Sequence, residues 1–340
     1  MGRRFELPDR LSKYQPLVPP SDAPVRPLWS VMIPTYNCAA LLEQTLQSVL
    51  DQAPGAELMH IEVVDDASTT DDPEAVVNSI GGGRVEFHRQ PENQGHSRNF
   101  NTCLQRSRGR LVHLLHGDDW VGPDFYRTMG ALFERFPAIG AGFCRHTITN
   151  PDGSAQRMSP LEQEEAGVLD NWLDTIAGEL RLQPPSMIVR RTVYEALGAF
   201  DTRMKSCGED WEMWVRIAAN YPVGYEPTPQ AFYRDNAQSL TKRSIQSGQN
   251  MKDVRKATSI TASYLRSGTA AAANRRARRN WAGWGLHWAW SLACAGDYRA
   301  ALVQLREALL CDRSPQTLRR SASTAKLVFR GLLSSRRAAA

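Results

Sequence analysis

Two stretches of this chain set paired acids directly after a hydrophobic run. Arg110-Leu111-Val112-His113-Leu114-Leu115 ends in His116-Gly117-Asp118-Asp119, and His60-Ile61-Glu62-Val63-Val64 ends in Asp65-Asp66. Runs of that length read as buried strands, so each carboxylate pair arrives at a strand's carboxyl end, where open α/β sheets bind ligands. Carboxylates there can hold a hard divalent cation, which in turn holds phosphates. The same positions suit turn or N-cap acids, and a short motif by itself leaves both readings open.

The elements that must position these acids are legible around them. Leu28-Trp29-Ser30-Val31-Met32-Ile33 predicts a strand closed by Pro34-Thr35-Tyr36-Asn37, and Leu41, Leu42, Leu46, Val49 and Leu50 then recur at helical spacing. Val85 to Arg89 predicts a third strand, followed by Pro91-Glu92-Asn93-Gln94-Gly95 and a helix carrying Arg98, Asn99 and Asn101. Strand and helix alternate four times, which implies an α/β fold with a mostly parallel sheet flanked by helices. Every polar cluster follows a strand, so the clusters can converge on one rim.

Ser30 to Asn37, Val63-Val64-Asp65-Asp66-Ala67-Ser68, Asn93-Gln94-Gly95 with Ser97-Arg98-Asn99, and Gly117-Asp118-Asp119 together resemble the donor half of family 2 glycosyltransferases of the GT-A (Rossmann-like) fold. The resemblance covers roughly residues 28–245. It implies that Pro34, Thr35, Tyr36 and Asn37 wall the nucleotide base, and that Asp65 and Asp66 accept hydrogen bonds from base and ribose. It implies further that Arg98 faces the donor phosphates, that Asp118 reaches ribose or metal, and that Asp119 ligates Mg²⁺ or Mn²⁺. Many relatives carry an acid two positions before Asp118, where this chain has His116.

Farther on, Pro184 to Tyr194 reads as a strand running into a helix. Ser206-Cys207-Gly208-Glu209-Asp210-Trp211 opens a helix whose Trp211, Trp214, Val215 and Ala218 share a face. Acids at a helix start are favoured by the macrodipole, which alone explains Glu209 and Asp210 structurally. By resemblance they are the catalytic pair, with Asp210 the general base that takes the acceptor hydroxyl proton in an inverting transfer. Ala231 to Thr241 resembles the segment closing the donor site; Arg234 would face phosphate or acceptor, and Asn236 stands where relatives often have His.

The rest of the chain bounds these readings. At 340 residues with 42% hydrophobic and 23% charged residues it is an ordinary globular composition, and no run reaches the length of a membrane span. Residues 1–28 are a Pro-rich extended leader, residues 29–245 the catalytic domain and residues 246–340 a basic helical region. The six scattered cysteines fit reduced, packed thiols, consistent with a cytoplasmic protein lacking a signal peptide. Residues 251–340 hold 17 Lys+Arg and 4 Asp+Glu, or +13, which leaves −8 for residues 1–250. Trp281, Trp284 and Trp288, a Gly296-Asp297 break and an Ala-rich second stretch resemble one tetratricopeptide-like hairpin. The basic amphipathic end, residues 318–337, suits either peripheral contact with an anionic membrane at its inner face or a solvated tail.

The expected activity is a metal-dependent, hexosyltransferase-type transfer from a nucleotide diphospho-sugar, UDP-linked in most such relatives, to a glycan or lipid-linked acceptor in cell-surface polysaccharide synthesis, with no nucleic-acid partner. A nucleotidyltransferase would also want acids on an α/β sheet, but its Gly-rich phosphate loop is missing at Pro34 to Asn37. A non-catalytic sugar-nucleotide-binding scaffold is the remaining alternative, raised by His116 and Asn236.

Overall fold

The computed structural model describes residue 17 and residues 26–236, 239–265 and 267–338. The expected leader, residues 1–28, lies almost wholly outside the described residues. In chain order the elements are β1 (Trp29–Thr35), α1 (Ala39–Leu50), β2 (Met59–Asp65), α2 (Pro73–Ile80), β3 (Glu86–Arg89), α3 (His96–Arg106), β4 (Leu111–Leu114), β5 (Trp120–Val121) and α4 (Phe125–Arg135). There follow β6 (Ala141–Thr149), β7 (Ala155–Met158), β8 (Gly167–Val168), α5 (Trp172–Ile176), β9 (Met187–Arg190), α6 (Arg191–Leu197), α7 (Glu209–Ala218) and β10 (Val223–Arg234). The chain ends in α8 (Leu240–Ile245), α9 (Gln249–Thr261), α10 (Ser267–Cys294), α11 (Tyr298–Cys311) and α12 (Pro315–Ala338).

These elements form two compact units. The first comprises residues 1–172, 181–202 and 220–236 and contains the whole sheet, ordered β3-β2-β1-β4-β9-β6-β10-β5, with β7 on β6 and β8 on β10. From β3 to β4 all pairings are parallel, as expected. The later half is mixed: β9 runs antiparallel between β4 and β6, while β6 and β10 resume the first direction. Six strands therefore share one direction, and β9 with three short strands opposes them.

All seven residues of both β1 and β2 are buried, the signature of strands covered on two faces. Leu42, Leu46 and Val49 of α1 fall on its inner side and join Val31, Ile33 and Val63 in the main core. The N-terminus of α2 is capped by Asp72, which accepts from the backbone N–H of Glu74 and Ala75, with Pro73 in the first turn.

The second unit takes residues 173–180, 203–219 and 237–340. This unit is discontinuous in sequence. Helix α7 belongs with the C-terminal helices because its Trp211 ring meets Trp281 edge to face at 5.4 Å, and Trp281 meets Trp284 in turn. The short 173–180 segment belongs there too: Ile176 O accepts from Trp211 Nε1 at 2.7 Å and Gly178 O from Asn280 Nδ2 at 3.0 Å. The expected helical hairpin is α10 and α11, turned by Gly296 at φ 84° and capped by Asp297.

Candidate active site

Three loops of the first unit meet at the carboxyl ends of β1, β2 and β4. Gly117 N donates to Pro34 O at 3.1 Å, fastening the loop after β4 to the turn after β1. A Cβ on Gly117 would lie 2.6 Å from Thr35 Cγ2 and 3.3 Å from Pro34 O, so the approach requires glycine. Asn37, at φ 52°, accepts on Oδ1 from Thr69 N and Thr70 N, and its own N donates to Ser68 Oγ. That joins the turn after β1 to the loop after β2. Tyr36 stands on this rim 42% exposed.

The adjacent acids after β2 are held differently. Asp65 is fully buried, and four donors, Thr35 Oγ1, Ser68 N, Ser68 Oγ and Arg89 Nε, converge on its carboxylate. A carboxylate has about four acceptor sites, so Asp65 is saturated by its own loop. Asp66 accepts from Gln94 N at 2.7 Å and Gly95 N at 2.9 Å, one on each oxygen, which leaves acceptor capacity. Burial raises its carboxyl above the usual range while the two N–H groups oppose the rise. Gly95, at φ 82°, then starts α3. Arg98, on the first turn of that helix, is exposed and pairs with no carboxylate among the described residues. Asn99 and Asn101 point inward instead, to Val64 O and to the Phe200 backbone.

At the β4 end, Thr45 Oγ1 on α1 donates to both Gly117 O and Asp119 O, clamping the loop from below. Asp119 is 1% exposed; its Oδ1 accepts from Arg234 N at 2.9 Å, while its Oδ2 is buried and accepts no hydrogen bond among the described residues. That oxygen lies 3.9 Å from His116 Nδ1, and the His116 ring stacks on Phe100 at 4.9 Å. His116, Asp118 and Asp119 each offer a ligand atom within 4.8 Å of the others. Burial pushes both the Asp118 and Asp119 carboxyls above the usual range, and the Asp118 charge pushes Asp119 further. Two crowded carboxylates, one with an open buried oxygen, and a facing imidazole are a donor set that fits a divalent cation.

Arg234 closes this corner at the end of β10. Its guanidinium is buried over the Trp120 ring, 4.6 Å from the centroid, and donates to Asp118 O, Pro151 O and Gln44 Oε1. Its Nε and backbone N–H hold the loop that carries Asp118 and Asp119, while its two terminal nitrogens tie that loop to Gln44 on α1 and to Pro151. Sequence reasoning missed Thr45, Gln44 and Arg89, which read as ordinary polar positions of a helix and an edge strand. Their partners lie 74, 190 and 24 residues away.

Glu209 and Asp210 stand in the second unit, on the first turn of α7 after Gly208 at φ 92°. Asp210 Oδ1 accepts from Trp211 N at 2.6 Å. The approach to this helix is fixed by Asp253, whose Oδ2 accepts from Lys205 N, Ser206 N and Ser206 Oγ.

Residues 30–198 match the family model described as "Glycosyl transferase family 2". Over 249 residues the chain is 28% identical to the Mycobacterium tuberculosis protein MT1568, covering 68% of this chain and 74% of that one. Over 142 residues it is 32% identical to the Bacillus subtilis putative teichuronic acid biosynthesis glycosyltransferase TuaG, covering 41% of this chain and 52% of TuaG. Among solved structures, Staphylococcus aureus TarS 1-349 in complex with UDP-GlcNAc superimposes with a TM-score of 0.64 at 17% identity, covering 90% of this chain and 92% of that one.

Proposed function

We propose, for a chain whose residues 30–198 belong to glycosyl transferase family 2 and whose fold is GT-A, that it transfers a sugar with inversion from a UDP-linked donor to an acceptor hydroxyl in cell-surface polysaccharide or glycan synthesis. The observation that carries this reading is the half-buried Asp118 beside the buried Asp119, whose open Oδ2 faces His116. The teichuronic acid assignment of TuaG supports the pathway class, and the UDP-GlcNAc in TarS supports the donor class.

In this reading the Tyr36 ring packs on the base from the Pro34 to Asn37 turn, and Asp66, with acceptor capacity left, takes base or ribose donors. Asp65 stiffens the loop that carries Asp66. The exposed Arg98 guanidinium pairs with donor phosphate. Asp119, Asp118 and His116 would hold Mg²⁺ or Mn²⁺, which when bound neutralises charge developing on the diphosphate leaving group. Of the two ions, the imidazole nitrogen suits the transition metal Mn²⁺ better than the hard, oxygen-seeking Mg²⁺. Arg234 and Thr45 keep the loop in register for that task. Asp210 accepts the acceptor hydroxyl's proton as its oxygen attacks the anomeric carbon and the nucleoside diphosphate departs, with Glu209 beside it. The protein would work in the cytoplasm on a glycan or lipid-linked acceptor.

The test is nucleoside diphosphate release from a panel of nucleotide sugars with Mn²⁺ or Mg²⁺. Wild type is expected to turn over a UDP-sugar, and Asp119→Ala to lose about 100-fold or more. A wild type that releases nothing from any common donor would sink the enzyme reading and leave a sugar-nucleotide-binding scaffold.

A further inference from the structure

Helix α12 turns the wrong face inward for an ordinary packed helix. Its buried positions are Thr317, Ser321, Thr324, Val328 and Gly331, a stripe of small and mostly polar residues. Gly331 is required there, since a Cβ would run into the Tyr298 ring of α11. Leu327 packs inward beside Val328, but three other large apolar side chains point away: Leu318 is 50% exposed, Phe329 65% and Leu333 44%. With Ala322 and Ala325, also exposed, they fall at steps of four, three, four and four residues. At 100° per residue that keeps all five within an arc of about 80° and along about 22 Å of helix.

The borders of this stripe are cationic. Arg319, Lys326 and Arg330 are exposed and lie on its outer flank, about 80–120° around the helix from Leu318. From Arg313 to the end the sequence holds seven Lys+Arg and no Asp or Glu. An exposed helix facing water would mix both signs, and a nucleic-acid surface would have no use for an apolar stripe. A linear apolar seam with a one-sided basic border matches a helix lying in the plane of an anionic lipid surface.

We infer that α12 docks the protein on anionic phospholipid, burying Leu318, Phe329 and Leu333 among the acyl chains while Arg319 and Lys326 meet the headgroups. None of these side chains belongs to the donor-site machinery, so the inference stands or falls separately from the proposed reaction.

The test is co-sedimentation of the full chain with phosphatidylcholine vesicles, with and without phosphatidylglycerol, at low and high salt. Binding is expected only to the anionic vesicles and to weaken with salt. Arg319→Gln with Lys326→Gln should cut it about 30-fold at about fivefold per charge. Phe329→Ser with Leu333→Ser should cut it at least about tenfold through lost apolar burial. Both double variants should keep the wild-type melting temperature and nucleoside diphosphate release, since they alter exposed positions. Failure of wild type to bind anionic vesicles, or unchanged binding by either folded double variant, overturns the inference. So does binding to an oligonucleotide that matches the vesicle binding and ignores Phe329 and Leu333, because it would reduce the helix to a generic polycation.

Discussion

Asp65 and Asp66 are neighbours in sequence and differ in what their oxygens have left to offer. Four donors occupy Asp65, while Asp66 spends one acceptor site per oxygen on Gln94 and Gly95. The motif announces two acids and cannot apportion them, because the partners that saturate Asp65 come from β1, β3 and its own loop. Arg234 is as hard to apportion from sequence: its guanidinium lies over Trp120 and donates to Asp118 O and Gln44 Oε1, partners 116 and 190 residues away. His113 illustrates what burial does to a group the chemistry does not use. It sits fully buried in β4, bonded to Tyr126 Oη and Pro185 O, and burial pushes its pKa down to about 3. A histidine depressed in the fold takes up a proton only on unfolding, so its effect is a loss of stability as pH falls from about 6.5 toward 3. Above that window it contributes no slope. The destabilisation caused by His113→Gln at neutral pH should therefore shrink by about 1.4 kcal/mol for each pH unit below about 6.5. Urea unfolding of both proteins at several pH values checks this, and a gap that stays constant to pH 5 would refute it.

The loop joining β4 to β5 shows how an element is tuned by others far away in sequence. Thr45 on α1 holds its Gly117 and Asp119 carbonyls, Pro34 O receives its Gly117 N–H, and Arg234 at the end of β10 anchors Asp119 Oδ1 and Asp118 O. Gly117→Ala would force a methyl to 2.6 Å from Thr35 Cγ2 and 3.3 Å from a carbonyl oxygen, displacing this loop from the turn after β1. A cost of about 1–3 kcal/mol in unfolding free energy follows from such overpacking. Because the displaced loop carries Asp118 and Asp119, Mn²⁺ affinity measured by titration calorimetry should fall as well, by about 10–100-fold. Unchanged Mn²⁺ binding in a variant with a lowered melting temperature would show that the loop does not hold the ion. The strands that present these loops were legible because β1, β2 and β4 are short, mostly apolar and β-branched-rich segments, close to the pattern of a strand buried on both faces, with the polar Ser30, His60, Glu62 and His113 buried among them. The antiparallel insertion of β9 was not legible, since a four-residue strand states its burial and not its direction. Nor was the cap of α1, which Asp71 supplies from another loop by accepting from Ala39 N at 2.7 Å.

At the scale of the molecule, the chain does not divide where its composition changes. The shift from acidic to basic near residue 250 suggests a boundary there, yet residues 173–180 and 203–219 group with the C-terminal helices. Charge reports on surfaces, whereas grouping is decided by which large side chains bury one another, and α7 carries the decisive ones. Trp211 is fully buried, with its Nε1 on Ile176 O and its face on Trp281 of α10; Gly208 lies 3.4 Å (as an added Cβ) from Ala257 of α9, and Asp253 of α9 ties down Lys205 and Ser206. A chain ending at residue 245 would strip α7 of α9 and α10 and leave Trp211 without its Trp281 cover. A single tryptophan buries about 150–250 Å², so at about 25 cal/mol per Å² the loss exceeds several kcal/mol before the Asp253 bonds are counted. That rivals the net stability of a typical domain. The expected outcome is a shortened chain that aggregates or unfolds without a cooperative transition, with Asp210 no longer held at the start of an ordered helix. Calorimetry and tryptophan emission of the two lengths side by side decide it: a sharp transition and an unshifted emission maximum in the 1–245 chain would mean that the catalytic half folds without the helices that follow it.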